Sequence, residues 1–243
     1  MPFEKSFPAV TEASVDGRTV AVAVRVSARA RSYRLTVTHH GRPILTVPRH
    51  GRWREAEAFL IRHNAWLAAR LKRAARPVPL VAGESIPLRG IEHLVVSAGT
   101  LRGRVTIESD ETGTRLVVPG APEHQARRLI DWLKAEAKRD IDLSVAEHAA
   151  RLGVSISGIS LRSQSTRWGS CSSRGRLNFN WRLILAPPFV LDYVAAHEVA
   201  HRVEMNHSPA FWATVKRTLP DMERGRAWLK AHGSALMAYG VED

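Results

Sequence analysis

The sequence is nearly free of cysteine: Cys171 is the single one among 243 residues. No internal disulfide can form, and zinc clusters built on several thiolates are excluded, which leaves histidine as the main metal-binding side chain. No stretch approaches eighteen apolar residues, so no membrane-spanning helix is expected. The opening, MPFEKSFPAV, lacks the apolar centre of a signal peptide. Zinc-finger spacing, RNP-type aromatic motifs and Gly-rich phosphate loops are all missing. With 44% hydrophobic and 24% charged residues, the composition is that of a globular protein, and a cytoplasmic location is expected.

Acidic residues are scarce, 23 against 36 lysines and arginines, for a net charge of +13. A surface so charged attracts polyanions, and association with nucleic acid is one reading of it. The other is a solvated basic surface in an arginine-rich composition.

At 243 residues the chain can bury a core as one large domain or two small ones. Its first half reads as β-rich with one helix. Thr19 to Val26, Tyr33 to Thr38 and Ile44 to Val47 are valine-rich or alternating segments and predict an antiparallel meander. A helix is expected from Arg54 to Ala75, stopped by Pro77, with His63 on its apolar face as a core histidine. Pro77 to Pro79 mark a connection. Short strands follow at Ile86 to Leu88, His93 to Ser97, Arg104 to Ser109 and Arg115 to Val118, the last two joined as a hairpin through ESDETG. No internal repeat stands out.

Pro119-Gly120 is the expected boundary, dividing a β-rich region, 1–120, from a second domain, 121–243. Beyond it a helix runs from Glu123 to Leu152 and closes at Gly153. Leu129, Leu133, Ala137, Ile141, Val145 and Ala149 form its core stripe. Glu136, Asp140 and Glu147 are read as its solvated charged face. Ser155 to Leu161 and Leu177 to Leu185 are expected strands, with a turn at Ser172 to Gly175. Pro187-Pro188 opens a helix whose stripe is Val190, Val194, His197, His201 and Met205. Ser208-Pro209 starts another, with Phe211, Trp212, Val215 and Leu219 on its apolar side. Asp221 starts a last helix through His232, with Gly233 as its stop.

The chemistry concentrates in HEVAHRVEMNH. His197 and His201 are four apart, one helical turn, so their imidazoles can converge on one cation. Glu198 directly follows the first histidine, where it can take a proton from a water on that cation; this is the HExxH arrangement of zinc hydrolases. His207 lies six residues further, far enough for the chain to turn back with a third ligand. Three protein ligands and an open position describe a catalytic zinc site rather than a structural one. Glu204 is the alternative third ligand, and Asn206 is a candidate for making the turn in a left-handed conformation.

With TRWGSCSSRGRLNFNWRLILAPP and LDYVAAHEVAHRVEMNHSPAFW in view, residues 166–212 resemble the YgjP-like zinc metallopeptidases, relatives of the SprT and WLM proteases. The resemblance implies an α+β fold: the β-rich N-terminal part followed by a zincin-like domain with a small sheet, an HExxH active-site helix and flanking helices. It implies His197, His201 and His207 as ligands of one Zn2+, Glu198 as general base, and a peptide or protein as substrate. The spacing equals that of metzincins, which carry glycine where this chain has Glu204; no Met-turn follows.

Several roles stay open. Tyr193, Arg167 and Ser170 are candidates for stabilising the oxyanion, and Asp192 and Asn206 for orienting the histidines. The strand from Leu177 to Leu185 could pair with an extended peptide. Cys171, Trp168 and Trp181 are read as packing residues. Arg162, Arg167, Arg174, Arg176 and Arg182 motivate a second function, metal-dependent hydrolysis of a nucleotide. A third is a protease that acts when docked on DNA.

Overall fold

The computed structural model describes residues 7–38, 41–73, 77–164 and 167–240; the expected helix end at Ala75 and the start of the signature segment at Thr166 lie outside them. The described residues form a mixed α and β structure of three small sheets and six α-helices. They cluster into two compact units, Met1–Arg76 and Pro77–Asp243. The break falls at the proline-rich connection, and Pro119-Gly120 lies inside the second unit. No helix among the described residues is long and apolar enough to cross a membrane.

The first unit opens with β1 (Val10–Val15) and β2 (Arg18–Ser27), an antiparallel hairpin. Its two-residue turn, Asp16-Gly17, has φ of 50° and 75°, the mirror-image turn whose twist suits a hairpin. β3 (Arg34–Val37) and β4 (Pro43–Pro48) complete the order β1-β2-β4-β3. β2 and β4 run parallel, so the expected meander is corrected: the chain leaves β2, forms β3 at the far edge, and returns between the two. Ala13, Val15, Val22, Leu35, Leu45 and Val47 form the inner face, covered by Ala56, Leu60 and Leu67 of α1 (Trp53–Arg62) and α2 (Asn64–Arg73). These two replace the single expected helix. His63 leaves helical geometry at φ −101°, ψ 14°, with its Nδ1 2.8 Å from the Phe59 carbonyl and its ring stacked on Phe59.

The second unit begins with β5 (Ser85–Leu88), β6 (Ile91–Ser97), β7 (Thr106–Asp110) and β8 (Gly113–Val118), in the order β5-β6-β8-β7. The β6–β8 pair is parallel and the flanking pairs antiparallel. This repeats the connectivity of the first sheet strand for strand. The echo in sequence is short: LTVP at 45–48 and LVVP at 116–119, each leading into a helix. Leu45, Val47, Leu116 and Val118 are all fully buried. An internal repeat is therefore present in topology, although it does not stand out in the residues.

α3 (Pro122–Leu152) follows, with proline in its first turn and Gly153 closing it at φ 66°. The expected stripe is buried from Leu129 to Val145, and Ala149 is half-buried. The three acidic residues expected on a solvated face are engaged, and Glu136 is buried: Arg89 holds Asp140 through two bonds of 2.7 and 2.8 Å and Glu136 through one of 2.9 Å, and Glu147 pairs with Arg151. The third sheet comprises β9 (Gly158–Arg162), β10 (Gly169–Cys171) and β11 (Arg176–Asn180), in the order β10-β11-β9. β11 ends at Asn180, whose side chain accepts from the Arg182 N–H and starts a 3-10 turn, Trp181–Leu185. The strand expected through Leu185 is corrected accordingly. All five turn residues are buried, and a continuous apolar run does not distinguish strand from tight helix.

α4 (Pro188–Ala200), α5 (Pro209–Thr218) and α6 (Met222–Leu236) complete the unit. Gly233 does not stop α6. It is buried inside it, and a Cβ there would lie 3.2 Å from the Trp168 Nε1. Gly225 on the same helix has no room either, since an added Cβ would meet the Tyr193 Cβ at 2.4 Å. The two glycines let α6 pass close to α4 and to Trp168. A buried polar link ties α3, α4 and α5 together. His148, fully buried, places Nδ1 2.8 Å from the Thr218 hydroxyl and Nε2 3.0 Å from Asp192 Oδ1, which also accepts from the Ser144 hydroxyl at 2.6 Å.

Burial pushes the Asp192 carboxyl up, but the bonds from His148 and Ser144 outweigh it and hold it below its usual range. A carboxyl depressed in the fold adds stability that is present above about pH 4 and lost as pH falls through its folded value. Asp192→Asn should therefore lower stability by roughly 1 kcal/mol near neutrality, a value discounted because the side chain is a third exposed. In urea titrations at several pH values the gap to the parent protein should shrink below about pH 4. A gap independent of pH would show that Asp192 is not the ionised partner.

Candidate metal centre

α4 is apolar around most of its circumference; nine of its thirteen residues are buried. Val190, Leu191, Val194, Ala195, Ala196, Val199 and Ala200 fill the core around it. Into this setting the sequence places His197 and Glu198. The helix stops at Ala200, and His201 is its C-cap, still in right-handed geometry at φ −63°, ψ −12°. The expected stripe therefore ends one residue past the helix: Met205 is half-exposed and off the helix.

The turn that follows is built by short-range backbone bonds, Arg202 N–H to the Val199 carbonyl and Val203 and Glu204 N–H to the Ala200 carbonyl. Asn206 does not make it in a left-handed conformation; among the described non-glycine residues only Asp16 and Arg89 have positive φ. Ser208 then caps α5 by accepting the Phe211 N–H, which fixes His207 directly before a helix start.

This path brings His197, His201 and His207 together, one nitrogen from each lying within 4.8 Å of the others. Their ring centroids are 4.8 to 5.0 Å apart. The Nε2 atoms of His197 and His207 are 3.0 Å apart, near the roughly 3.3 Å edge of a tetrahedron with metal–nitrogen bonds of about 2.0–2.1 Å. His201 turns its Nδ1 to the Glu204 carbonyl at 3.0 Å. That bond leaves its Nε2 with a free lone pair. Glu204 thus serves through its backbone, and the cluster consists of the three histidines. Asp192 is turned to His148 and Ser144 rather than to any of the three rings.

Electrostatics favour the same use. Burial, then the proximity of His201 and His207 and of the Arg226 guanidinium, pushes the His197 ring down to about 3. Burial also lowers His201, against the Glu204 carbonyl, which acts in the opposite sense. Both shifts favour the neutral ring, the form that binds a metal. The Nδ1 of His197 and Oε2 of Glu198 are buried without hydrogen-bond partners. Unpaired buried polar atoms are costly; a cation held by Nε2 of His197 would offset the burial of the Glu198 oxygen by its charge, while His197 Nδ1 on the far side of the ring stays without a partner. The residues present fit such an ion.

Phe211 and Trp212 support the rings. Phe211 stacks on His201 at 4.5 Å and meets the other two edge-on at 4.8 Å; Trp212 lies 5.7 and 5.9 Å from His197 and His207. Sequence patterning places both on an ordinary apolar face. The signal that singles them out is their place in the first turn of the helix started by Ser208-Pro209, immediately after the third histidine.

Glu198 is buried, and burial pushes its carboxyl up to about 8. It adjoins a cavity of about 260 Å3 lined by Arg167, Trp168, Gly169, Tyr193, Val194 and Leu229 together with His197. Gly169 of β10 lies against the carboxylate, where an added Cβ would sit 2.4 Å from Oε1. Two of the three oxyanion candidates, Tyr193 and Arg167, line this cavity. Ser170 does not; its hydroxyl accepts from Asn178. Trp181 is a core residue, whereas Trp168 lines the cavity. Cys171 is half-buried and bonds the Ser172 carbonyl; burial and the nearby Glu198 raise its thiol against the pull of Arg202, so it is kept protonated.

A family profile described as the YgjP-like metallopeptidase domain matches residues 31–232. No curated protein matches the chain. A solved structure titled the metallopeptidase zymogen of Pyrococcus abyssi abylysin is 18% identical, covering 37% of this chain and 93% of that one with a TM-score of 0.34; nothing is carried over from so partial a likeness.

Metal analysis tests the centre. Protein stripped with chelator and reloaded should hold about one zinc per chain, and His207→Ala should weaken that affinity by at least about 100-fold. Unchanged zinc content in the His207 variant would remove it from the ligand set.

Proposed function

Because the chain belongs to the YgjP-like metallopeptidase family across residues 31–232, we propose that it hydrolyses peptide bonds with one zinc ion held by His197, His201 and His207 and with Glu198 as general base. The observation that carries this reading is the convergence of three imidazoles beside a buried, unpartnered carboxylate oxygen. Bound there, zinc supplies Lewis acidity, polarising a peptide carbonyl and making a water a better nucleophile.

The chain's own residues supply the rest. Burial alone raises the carboxyl to about 8 and favours its protonated form near neutrality; a cation beside it would favour the ionised form, which keeps a high basicity from its buried setting and can accept a proton. Glu198 takes one proton from the attacking water, whose oxygen bonds to the carbonyl carbon. As the carbon–nitrogen bond breaks, Glu198 returns that proton to the leaving amine. Tyr193 and Arg167, which line the same cavity, are the candidates for donating to the oxygen that gains charge. Burial raises the Tyr193 hydroxyl, which keeps its proton available for such a bond.

An extended substrate needs backbone partners. β11, within the segment expected to offer them, is the central strand of its sheet. β10 is an edge and carries Gly169 against Glu198, so the pairing role moves to β10. The five arginines that motivate nucleotide hydrolysis support it weakly. Only Arg167 lines the cavity; Arg182 is buried and bonds the Tyr239 and Gly240 carbonyls, and Arg162 reaches Asn178. A reducing, cytoplasmic setting suits the lone thiol of Cys171.

Glu198→Gln should retain zinc and lose about 10²- to 10⁴-fold in peptide turnover. Turnover of a nucleotide panel that is lost in this variant, with no peptide cut by the parent protein, would replace the peptidase reading. Gly169→Ala should also retain zinc and lower kcat, because the added methyl displaces the carboxylate from its place. Parent-like kcat in that variant would show that the strand lies further from Glu198 during turnover.

A further inference from the structure

The net charge of +13 is unevenly divided. Residues 1–76 contain 15 lysines and arginines against 5 acidic residues, +10, while residues 77–243 contain 21 against 18, +3. A basic composition alone would distribute the charge by length, yet less than a third of the chain carries most of it.

Topology gathers that charge further. β2 and β4 are parallel and β3 is antiparallel to β4, so the C-terminal ends of β2 and β4 and the start of β3 lie at one end of the sheet. Arg25 and Arg34 face each other across Thr46 in adjoining register. The connection from β2 to β3 adds Arg29 and Arg31, and the segment after β4 adds Arg49 and Arg52. The Tyr33 hydroxyl accepts from the Arg52 N–H at 2.8 Å, which holds these two segments together.

All six arginines are exposed, and none is ion-paired among the described residues. Of the acidic residues, Glu12 and Asp16 belong to β1 and its turn, toward the opposite end. Glu55, near the cluster, is occupied by the Tyr33 hydroxyl at 2.7 Å, and Glu57 lies further along α1.

The shape of this surface selects among polyanions. α1 and α2 cover one face of the sheet, and the other carries Ala21, Ala23, Thr36, Ile44 and Thr46 beside Arg25 and Arg34. That outer face has no aromatic side chain among the described residues, so it offers no platform for stacking unpaired bases. Arg25 and Arg34 stand two strand spacings apart, about 10 Å, on the scale of a duplex groove about 6–12 Å wide. We propose that this end of the first unit docks on the phosphate backbone of a nucleic-acid duplex, without reading its sequence, and so brings the hydrolytic centre to substrates gathered on that polymer. The interaction is one of guanidinium groups with phosphates and is driven by counterion release. Its functional half rests on the peptidase reading, whereas the docking itself does not.

The test uses the full chain and a mixed-sequence DNA duplex of about 30 base pairs, read by fluorescence anisotropy between about 50 and 200 mM salt. The triple variant Arg25→Gln, Arg34→Gln, Arg49→Gln should bind at least about tenfold more weakly. Its log–log salt slope should become shallower by about 0.9 for each phosphate the variant no longer neutralises. The corresponding lysine substitutions should restore binding, which separates missing charge from a damaged fold. Removing equal charge from the second unit, Arg102→Gln, Arg104→Gln and Lys230→Gln, should change affinity less than about threefold.

Absence of duplex binding by the parent protein would overturn the proposal. So would an equal weakening in the second-unit variant, which would make the attraction diffuse. Binding to phosphatidylglycerol vesicles but not to the duplex would assign the surface to a membrane instead. Zinc content and cleavage of an unattached peptide are read in parallel and should not change in any of these variants, so failure here and failure of the peptidase reading are distinguishable.

Discussion

The second unit depends on one unfavourable placement: a carboxylate and two imidazoles at the end of a helix that is otherwise a core element. Ionising Glu198 at 5% exposure is costly, and its carboxyl responds by moving up toward 8. His197 responds in the opposite direction, toward 3, for the same reason. Both shifts favour the uncharged groups in the absence of a cation; the neutral ring is ready to bind one, and a cation bound there would draw the proton off the carboxyl. Burial of this kind is destabilising by itself, and it persists because the surrounding apolar structure is extensive. Leu129 to Val145 of α3, the 3-10 turn and the flanking helices α5 and α6 enclose α4.

Close approach is the second constraint, and glycine provides it at three points. Gly225 and Gly233 let α6 come near to Tyr193 and Trp168, while Gly169 lets the edge strand come near to Glu198. None of the three is needed for a special backbone angle; each is needed because a side chain would occupy space already filled. This is why Gly233 resembles a helix stop in sequence and is an interior packing position in the fold. Local sequence shows a glycine, whereas its reason lies in Trp168, far earlier in the chain.

That contrast separates what is legible in the sequence from what is not. The histidine cluster is legible because its geometry is mostly local: a helical turn between His197 and His201, then a short return to His207 set by the Ser208 cap. α3 is legible because its apolar spacing is regular and Gly153 closes it. The sheet order is not, since a strand's neighbours are chosen by crossover and burial rather than by adjacency, and β2 pairing in parallel with β4 leaves no mark in either segment. β1, with VTEASV, alternates too weakly to stand out, and its turn, Asp16-Gly17, is the available sign. Phe211 and Trp212 read as a core face because an aromatic beneath an imidazole and one beneath an aliphatic chain look alike in sequence. The shared connectivity of the two sheets is hidden for the same reason. Only LTVP and LVVP survive as an echo, at the positions where both residues facing inward are completely enclosed.

The two sheets share their connectivity but not their filling. Each four-stranded layer is sealed by helices next to it in sequence, so neither borrows its hydrophobic filling from the other. The second shares one core with α3 and α4, so a change of volume in its inner row is felt by the helix that carries His197 and Glu198. The first has an inner row of its own, so charge can be carried on its outward positions without disturbing that packing. Two separately filled layers are the physical reason that the first unit can carry fifteen lysines and arginines while the core around α4 stays apolar.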